Sequence, residues 1–330
     1  MSVLYLTEQR SIVRKTSDRL IVEKDHEVLL EVPCLKLDAV LIFGNVQVTT
    51  QALIEMLDHG IELAFLSMSG KLRGQLTPPK AKNIPLRMRQ YDLARSEAFC
   101  LRLARTLVAA KIGNSLAVIS RFRENHPEKV SKEEIRELRE RVAGVNQAAS
   151  LESLLGTEGS AAALYFASLG KMVPAEMGFD GRNRRPPRDP LNALLSFGYV
   201  LVGQELQSLL DAMGFDPYLG FYHQIDYGRP SLALDLLEEF RAPLVDRFST
   251  SLLNTGVLHR DDFFTTAEGG VELHRDAMKR YFTAYQKELT TPLSLGGEQL
   301  SFRQLFRRQA ERLAHAFIDN APYEPFQLPC

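Results

Sequence analysis

The first seventy-odd residues carry their apolar positions in short runs with partial alternation: SVLYL, SIVRKTSDRLIVEK and EVLLEVPCLKLDAVLIFG. Branched and apolar residues in runs of this kind predict strands. Within them TTQALIEMLDHG switches to helical spacing, with Thr49 or Thr50 as N-cap and Gly60 as the stop. IELAFLSMSGKLRGQL returns to strand and is broken by a turn at Ser69-Gly70. TPPKAKNIPLRMRQ holds Pro78, Pro79 and Pro85 with little apolar content, the composition of a linker. Beyond it the pattern is helical almost to the end. RMRQYDLARSEAFCLRLARTLVAAKIGNSLAVISRF has apolar residues at helical spacing and bases on another face. SKEEIRELRERVAGV is a charged surface helix with Ser131 and Glu134 in capping-box positions. LNALLSFGYVLVGQELQSLLDAMG is apolar enough for a central helix. The pattern predicts an α+β chain: a small N-terminal β-domain over 1–77, a basic proline-rich linker over 78–90 and an all-helical domain over 91–330.

Composition agrees with this division. A length of 330 residues fits two domains of roughly 100–200 residues each. With 45% hydrophobic and 25% charged residues the profile is that of a soluble globular protein, and no stretch approaches an uninterrupted apolar span. The N-terminus lacks a basic segment followed by an apolar run, so secretion is not expected. Cys34, Cys100 and Cys330 lie far apart and form no CxxC pair, which suits a reducing cytoplasm. Net charge is 40 − 41 = −1, so the whole chain is no polyanion binder by charge. Its distribution is uneven: Lys71 to Arg105 holds nine bases and two acids. A field of that sign attracts phosphates, although a solvated helix face has the same composition.

One constellation carries chemistry. GFYHQIDYGRPSLALDLLEEF places His223 shortly before a helical stretch bearing Asp235, Glu238 and Glu239. Pro230 suits the first turn of that helix. Leu232, Leu236, Leu237 and Phe240 mark its buried side, and Asp235 and Glu238, three apart, are neighbours on one face. Two carboxylates and an imidazole suit Mg²⁺ or Mn²⁺, the imidazole shifting preference towards Mn²⁺. The plainer alternative is a core histidine with acids paired to Arg229 and Arg241. A second segment, SLLGTEGSAAALYF, sets Glu158 among small and apolar residues that permit close approach of a neighbouring helix. A carboxylate there needs a partner, either an arginine or the same metal.

Four segments taken in order, LLGTEGSAAALYF, FDGRNRRPPRDPLNALLSFGYVL, GFYHQIDYGRPSLALDLLEEFR and DDFFTTAEGGVELHRDAMKRYFTAYQKEL, resemble the CRISPR-associated integrase family of spacer acquisition (the Cas protein numbered one). The N-terminal segment and the tail FRQLFRRQAERLAHAFI fit as well, so the likeness covers nearly the whole chain. The resemblance implies an N-terminal β-domain through which the protein forms a homodimer, and a helical catalytic domain. It implies metal ligation by Glu158, His223 and Glu238, with Asp235 assisting at the site. Arg182, Arg184, Arg185 and Arg188 match a loop beside the active site and, with Arg87 and Arg89, are available for DNA phosphates. Tyr165, near Glu158, is expected to pack.

The implied activity is insertion of short DNA into a CRISPR array, in which a 3′-hydroxyl attacks a phosphodiester with Mg²⁺ or Mn²⁺ as cofactor. With water as nucleophile the same site is an endonuclease. Implied partners are double-stranded DNA, both prespacer and repeat, a small CRISPR-associated partner protein (the Cas protein numbered two) and a Cas4-like nuclease, with no membrane. Two alternatives are a metal-dependent nuclease without an integration role and a non-catalytic DNA-binding scaffold.

Overall fold

The computed structural model describes residues 3–68, 70, 72–77 and 83–329. Ser69 of the expected turn, residues 78–82 of the expected linker, the bases Lys71, Lys80 and Lys82, and Cys330 lie outside the described residues. The chain divides into two compact units, Met1–Lys80 with Leu273–Phe282, and Ala81–Glu272 with Thr283–Cys330.

The first unit holds β1 (Val3–Leu6), β2 (Ile12–Thr16), β3 (Arg19–Lys24), β4 (Glu27–Pro33), β5 (Ala39–Phe43), β6 (Gln47–Val48), α1 (Thr50–Asp58), β7 (Glu62–Leu66) and β8 (Leu72–Leu76). One sheet has the order β1-β5-β7-β8, the other β4-β3-β2-β6. The first is parallel from β1 to β7, with Val3 opposite Ala39 and Ala39 opposite Glu62, and closes antiparallel at β8. The second is an antiparallel meander, Ile12 opposite Glu23, with β6 added in parallel. Val13, Leu20, Val40, Ile42, Ala52 and Met56 are fully buried in one core, so α1 covers it with a single face. Thr49 caps α1 by accepting from the Ala52 N–H, and Gly60 follows with φ of 71°, as the sequence predicts.

The rest of the chain is mostly helical: α2 (Ile84–Ala94), α3 (Glu97–Asn125), α4 (Lys132–Gly144), α5 (Leu151–Gly170), α6 (Pro190–Met213), α7 (Ser231–Leu237), α8 (Arg247–Asn254), α9 (Arg275–Thr290) and α10 (Phe302–Ile318). It is not all-helical. β9 (Phe263–Thr265) pairs with β10 (Val271–Leu273), and β11 (Leu293–Leu295) with β12 (Glu298–Leu300). The second hairpin turns at Gly296-Gly297, both at positive φ, which a tight two-residue turn demands. Nor is 78–90 all linker, since Asn83 caps α2 and residues 84–90 are helical. Gln90 on α2 is buried and holds the segment before His223, donating to the carbonyls of Asp216 and Leu219 and accepting from the Asp216 N–H.

α6 is long and apolar enough to cross a membrane by length and composition, contrary to the expectation that no stretch is. Two-thirds of that stretch is buried inside the fold, which makes it the core helix the pattern predicts. Asp189 caps its start by accepting from the Asn192 N–H at 2.8 Å. Ser131 and Glu134 form the expected capping box on α4.

Candidate active site

The short helix α7 supplies two acids on one face, and they take opposite ends of one imidazole. Asp235 Oδ1 lies 2.7 Å from His223 Nδ1, and Glu238 Oε1 lies 3.6 Å from His223 Nε2. With a carboxylate as acceptor, Nδ1 carries the proton and Nε2 keeps its lone pair. Both Asp235 oxygens are otherwise engaged. They accept from the backbone N–H groups of Phe221 at 2.6 Å, Tyr222 at 3.0 Å and His223 at 2.8 Å. Asp235 therefore builds the loop that presents His223. Gly220 makes this approach possible: a Cβ there would stand 2.7 Å from Ser231 Cβ and 2.9 Å from Asp235 Oδ2. Phe221 anchors the loop by edge-on contacts with Phe99 and Phe317.

Glu238 is buried and sits where α7 ends and a π-helical turn, Arg241–Asp246, begins. Its Oε2 accepts from Arg241 Nε at 2.9 Å and lies 2.7 Å from Lys111 Nζ. Burial opposes ionisation of Glu238, but Arg241 and Lys111 outweigh it and hold the carboxyl well below its usual range. Arg241 in turn stacks on the Tyr199 ring, with 4.4 Å from guanidinium to centroid. The Lys111 ammonium, from the middle of α3, also contacts Glu158 Oε1 on α5. Glu158 and Glu238 thus share a lysine, and Glu238 also faces His223.

This arrangement suits a divalent cation in its donor set: two carboxylates and an imidazole nitrogen with a free lone pair. Glu238, His223 and Glu158 are the residues that would hold such an ion. The Tyr222 hydroxyl is buried with no hydrogen-bond partner among the described residues. Burial, then Glu158 and Glu238, push its pKa far up, so it stays a donor in search of an acceptor. A cavity of about 40 Å³ adjoins Lys111, Glu158, Tyr165, Arg184 and Arg241. The three expected ligands do not close to ligand spacing as they stand. Among the described residues, only Cys34, Glu55 and His59 bring such atoms within 4.8 Å of one another.

Residues 4–287 match the family model described as CRISPR associated protein Cas1. The chain is 35% identical to CRISPR-associated endonuclease Cas1 3 of Thermus thermophilus, over 99% of this chain and 98% of that one. The chain belongs to the Cas1 family. It is also 36% identical to a CRISPR-associated exonuclease Cas4/endonuclease Cas1 fusion of Geobacter sulfurreducens, covering 98% of this chain and 59% of the fusion. Among solved structures, a casposase bound to integration product has the same fold, with TM-score 0.88, 23% identity and coverage of 100% and 94%. A Cas6-RT-Cas1–Cas2 complex matches at TM-score 0.84 and 25% identity over 99% of this chain and 36% of that one. Membership of the Cas1 family carries a nuclease and integrase role in CRISPR adaptation.

The arginines expected to meet DNA in a Cas1-family protein divide into two groups. Arg184, Arg185 and Arg188 are exposed. Arg184 also lines an open groove of about 580 Å³ with Gly159, Ala162, Ala163, Phe166 and Arg182. The small-residue face of α5 therefore opens on this groove. A Cβ at Gly156 or Gly159 would meet nothing within 4 Å, where close helix packing was expected. The other group is engaged within the fold. Arg182 donates to Asn192 Oδ1 at 2.7 Å and Ser196 Oγ at 3.0 Å, and Arg89 donates to the Phe317 carbonyl at 3.0 Å. Arg87 is half-buried.

Tyr165 is buried, as expected of a packing residue, and its hydroxyl also donates to Asp246, which Tyr199 shares. Glu239 turns away from the site into the core, where Gln309, Tyr323 and the Phe326 N–H surround it and burial pushes its pKa up to about 7. Of the arginines that could have paired with the acids, Arg241 does so with Glu238. Sequence reasoning missed Lys111. Its one signal was a lysine set among the buried positions Ala110, Ile112, Asn114 and Ser115 of α3.

Proposed function

We propose that the chain is a metal-dependent DNA strand-transfer enzyme and endonuclease of CRISPR adaptation, with Glu158, His223 and Glu238 as its metal ligands. The observation that carries this is the imidazole gripped by Asp235 at Nδ1 and aimed by Nε2 at Glu238. Bound to these side chains, Mg²⁺ or Mn²⁺ supplies a Lewis acid that favours the attacking oxyanion and stabilises charge on the phosphoryl oxygens.

The protein's own residues do the rest. Asp235 is a positioning residue that fixes the tautomer and direction of His223. Arg241 holds Glu238 ionised. Lys111 neutralises the two carboxylates, which are the ones that would hold a metal. Arg184, Arg185 and Arg188, with the groove along α5, take the backbone of double-stranded DNA, largely without reading its sequence. A 3′-hydroxyl of the incoming DNA then forms a new P–O bond as the target strand's P–O bond breaks. Water in its place gives cutting. The working assembly is a homodimer formed through the N-terminal unit, joined by the small CRISPR-associated partner protein. The kinship with a Cas4/Cas1 fusion and with a chain of a Cas1–Cas2 complex supports that partner set.

A strand-transfer assay with a labelled prespacer duplex and a repeat target, run with Mn²⁺ and then with EDTA, is the test. Joined product that disappears with EDTA is the expected result. Cutting without joining would leave a nuclease alone, and binding without either would leave a scaffold.

A further inference from the structure

We propose that Cys34, Glu55 and His59 form a zinc site in the N-terminal unit, separate from the catalytic centre and of different cation preference. Their ligand atoms all lie within 4.8 Å of one another. A single ion about 2.0–2.3 Å from each ligand would require only a small further closure.

Local structure brings the three together for identifiable reasons. Glu55 and His59 are four apart on α1 and its C-cap, so they share a face. That face is turned inward: Ala52 and Met56 beside them are fully buried, and Glu55 itself is 4% exposed. Cys34 opens the turn Cys34–Lys36 after β4, fixed by its N–H donating to the Asp18 carbonyl at 2.9 Å, and its side chain is fully buried. Position 55 faces a core of aliphatic side chains, where a leucine would suffice for packing. A carboxylate there requires a cation.

At present Lys15 of β2 contacts Glu55 Oε2, and its side chain is 38% exposed. An ammonium so exposed has a path back to water once another cation takes its place on Glu55. His59 is poised as well. Its Nδ1 lies 3.0 Å from the Glu55 carbonyl oxygen and 3.5 Å from Glu55 Oε1, so the imidazole stands beside the carboxylate.

The donor types select the ion. A thiolate and an imidazole suit Zn²⁺, whereas the two carboxylates and one imidazole of the other centre suit Mg²⁺ or Mn²⁺. The charges balance: thiolate and carboxylate together carry −2. Without metal, burial and then Glu55 push the Cys34 thiol up, so it is protonated. Binding releases that proton to solvent as the S–Zn bond forms, and water fills the fourth position on the partly exposed His59 side. Cys34 lies at the end of β4 and Glu55 on α1, so the ion would tie a strand end to the helix covering the core.

The test uses the full chain stripped with EDTA, in a His223→Ala background so that the other imidazole cannot contribute. Co²⁺ is titrated as a spectroscopic stand-in, with a thiolate-to-cobalt charge-transfer band as readout, and Zn²⁺ is then added. We expect a band saturating at one Co²⁺ per chain, bleached by Zn²⁺, absent from Cys34→Ser, and a thermal midpoint that Zn²⁺ raises unless Cys34 is replaced. Should Cys34→Ser fail to fold, His59→Gln at the half-buried position serves instead. It should weaken Co²⁺ binding at least about tenfold, the least that loss of even an outer-shell partner costs. Absence of the band in folded protein, its persistence in Cys34→Ser, or unchanged affinity in His59→Gln would each overturn the site.

Discussion

Replacing Lys111 by methionine should tighten metal binding while weakening the metal-free fold. The ammonium lies 2.7 Å from Glu238 Oε2 and contacts Glu158, so both carboxylates depend on it in the absence of metal. Methionine is unbranched like lysine, one atom shorter, and lacks the charge. Breaking a fully buried ion pair costs about 3–5 kcal/mol. The cost here is smaller, because Arg241 remains on Glu238 and the Glu158 side chain is 18% exposed. A charged hydrogen bond of about 1.5–3 kcal/mol is the better measure. The metal-bound form has already displaced the lysine and loses none of this. The same energy therefore appears as a gain in affinity of about 10- to 100-fold. Isothermal titration of DNA-free protein with Mn²⁺ measures it, and thermal unfolding with and without Mn²⁺ measures the other limb. Lys111→Arg keeps the charge and should show neither the gain in Mn²⁺ affinity nor the loss of metal-free stability. Mn²⁺ affinity in Lys111→Met that is unchanged or weaker than wild type would refute the idea that metal and lysine compete for the same oxygens.

His223→Ala should abolish both joining and cutting with duplex affinity retained, because phosphate contacts elsewhere carry most of the binding; parallel loss of affinity would make the residue structural. Asp235→Asn can donate to Nδ1 and so favour the wrong tautomer, and should lower Mn²⁺ affinity or turnover about 10- to 100-fold; wild-type values for both would remove its positioning role. Arg184→Glu with Arg185→Glu should weaken duplex binding at every sequence and flatten its salt dependence by about one unit of slope for each phosphate no longer neutralised; an unaltered slope would take them off the DNA path. Burial raises the pKa of Asp246 from 3.8 to about 6, against the hydrogen bonds from Tyr199 and Tyr165. Between those values the folded chain holds a proton that the unfolded chain has lost, so this stabilisation is full below pH 3.8 and is lost as pH rises towards about 6. The difference in thermal midpoint between wild type and Asp246→Asn should change across that window, and a constant difference would contradict the assignment.

The sequence was most informative where one period ran long enough to be unambiguous. α1 with its Thr49 cap, α4 with its capping box and the buried α6 all follow from apolar spacing and terminal residues. The hairpins β9–β10 and β11–β12 escaped because strands of three residues are too short to show alternation, although Gly296-Gly297 was a turn signal in plain view. The small residues of α5 could equally serve a close helix contact or an open groove, since both need missing side chains; only the three-dimensional neighbours distinguish the two. Arg89 and Arg182 have partners within the fold that the sequence does not show, for a related reason. A guanidinium in sequence announces charge, but whether it meets a phosphate or a Phe317 carbonyl depends on what α10 brings to it. In the site, the spacing of Asp235 and Glu238 was legible as a shared face. It could not reveal that the two acids take opposite nitrogens of His223, because that depends on Gly220 letting the loop lie against α7.

Lys111 points to a wider physical rule in this protein. Clustered carboxylates, here those proposed to receive a divalent cation, would leave buried negative charge if unpaired. The chain answers with an ammonium of its own: Lys111 between Glu158 and Glu238, and Lys15 on Glu55. A lysine suits this duty better than an arginine. Its charge is compact, its stem is flexible, and it holds an oxygen without the two-pronged grip that makes an arginine–carboxylate pair hard to part. Arg241 illustrates the contrast. It is stacked on Tyr199, donates to Glu238 and favours that carboxylate's ionised form. On the proposed reading the permanent partner is an arginine fixed by stacking, and the exchangeable partner a lysine on a flexible stem. It follows that Arg241→Lys should lower Mn²⁺-dependent joining more than Lys111→Arg does, although both substitutions preserve charge. Equal losses in the strand-transfer assay would refute this division of duties.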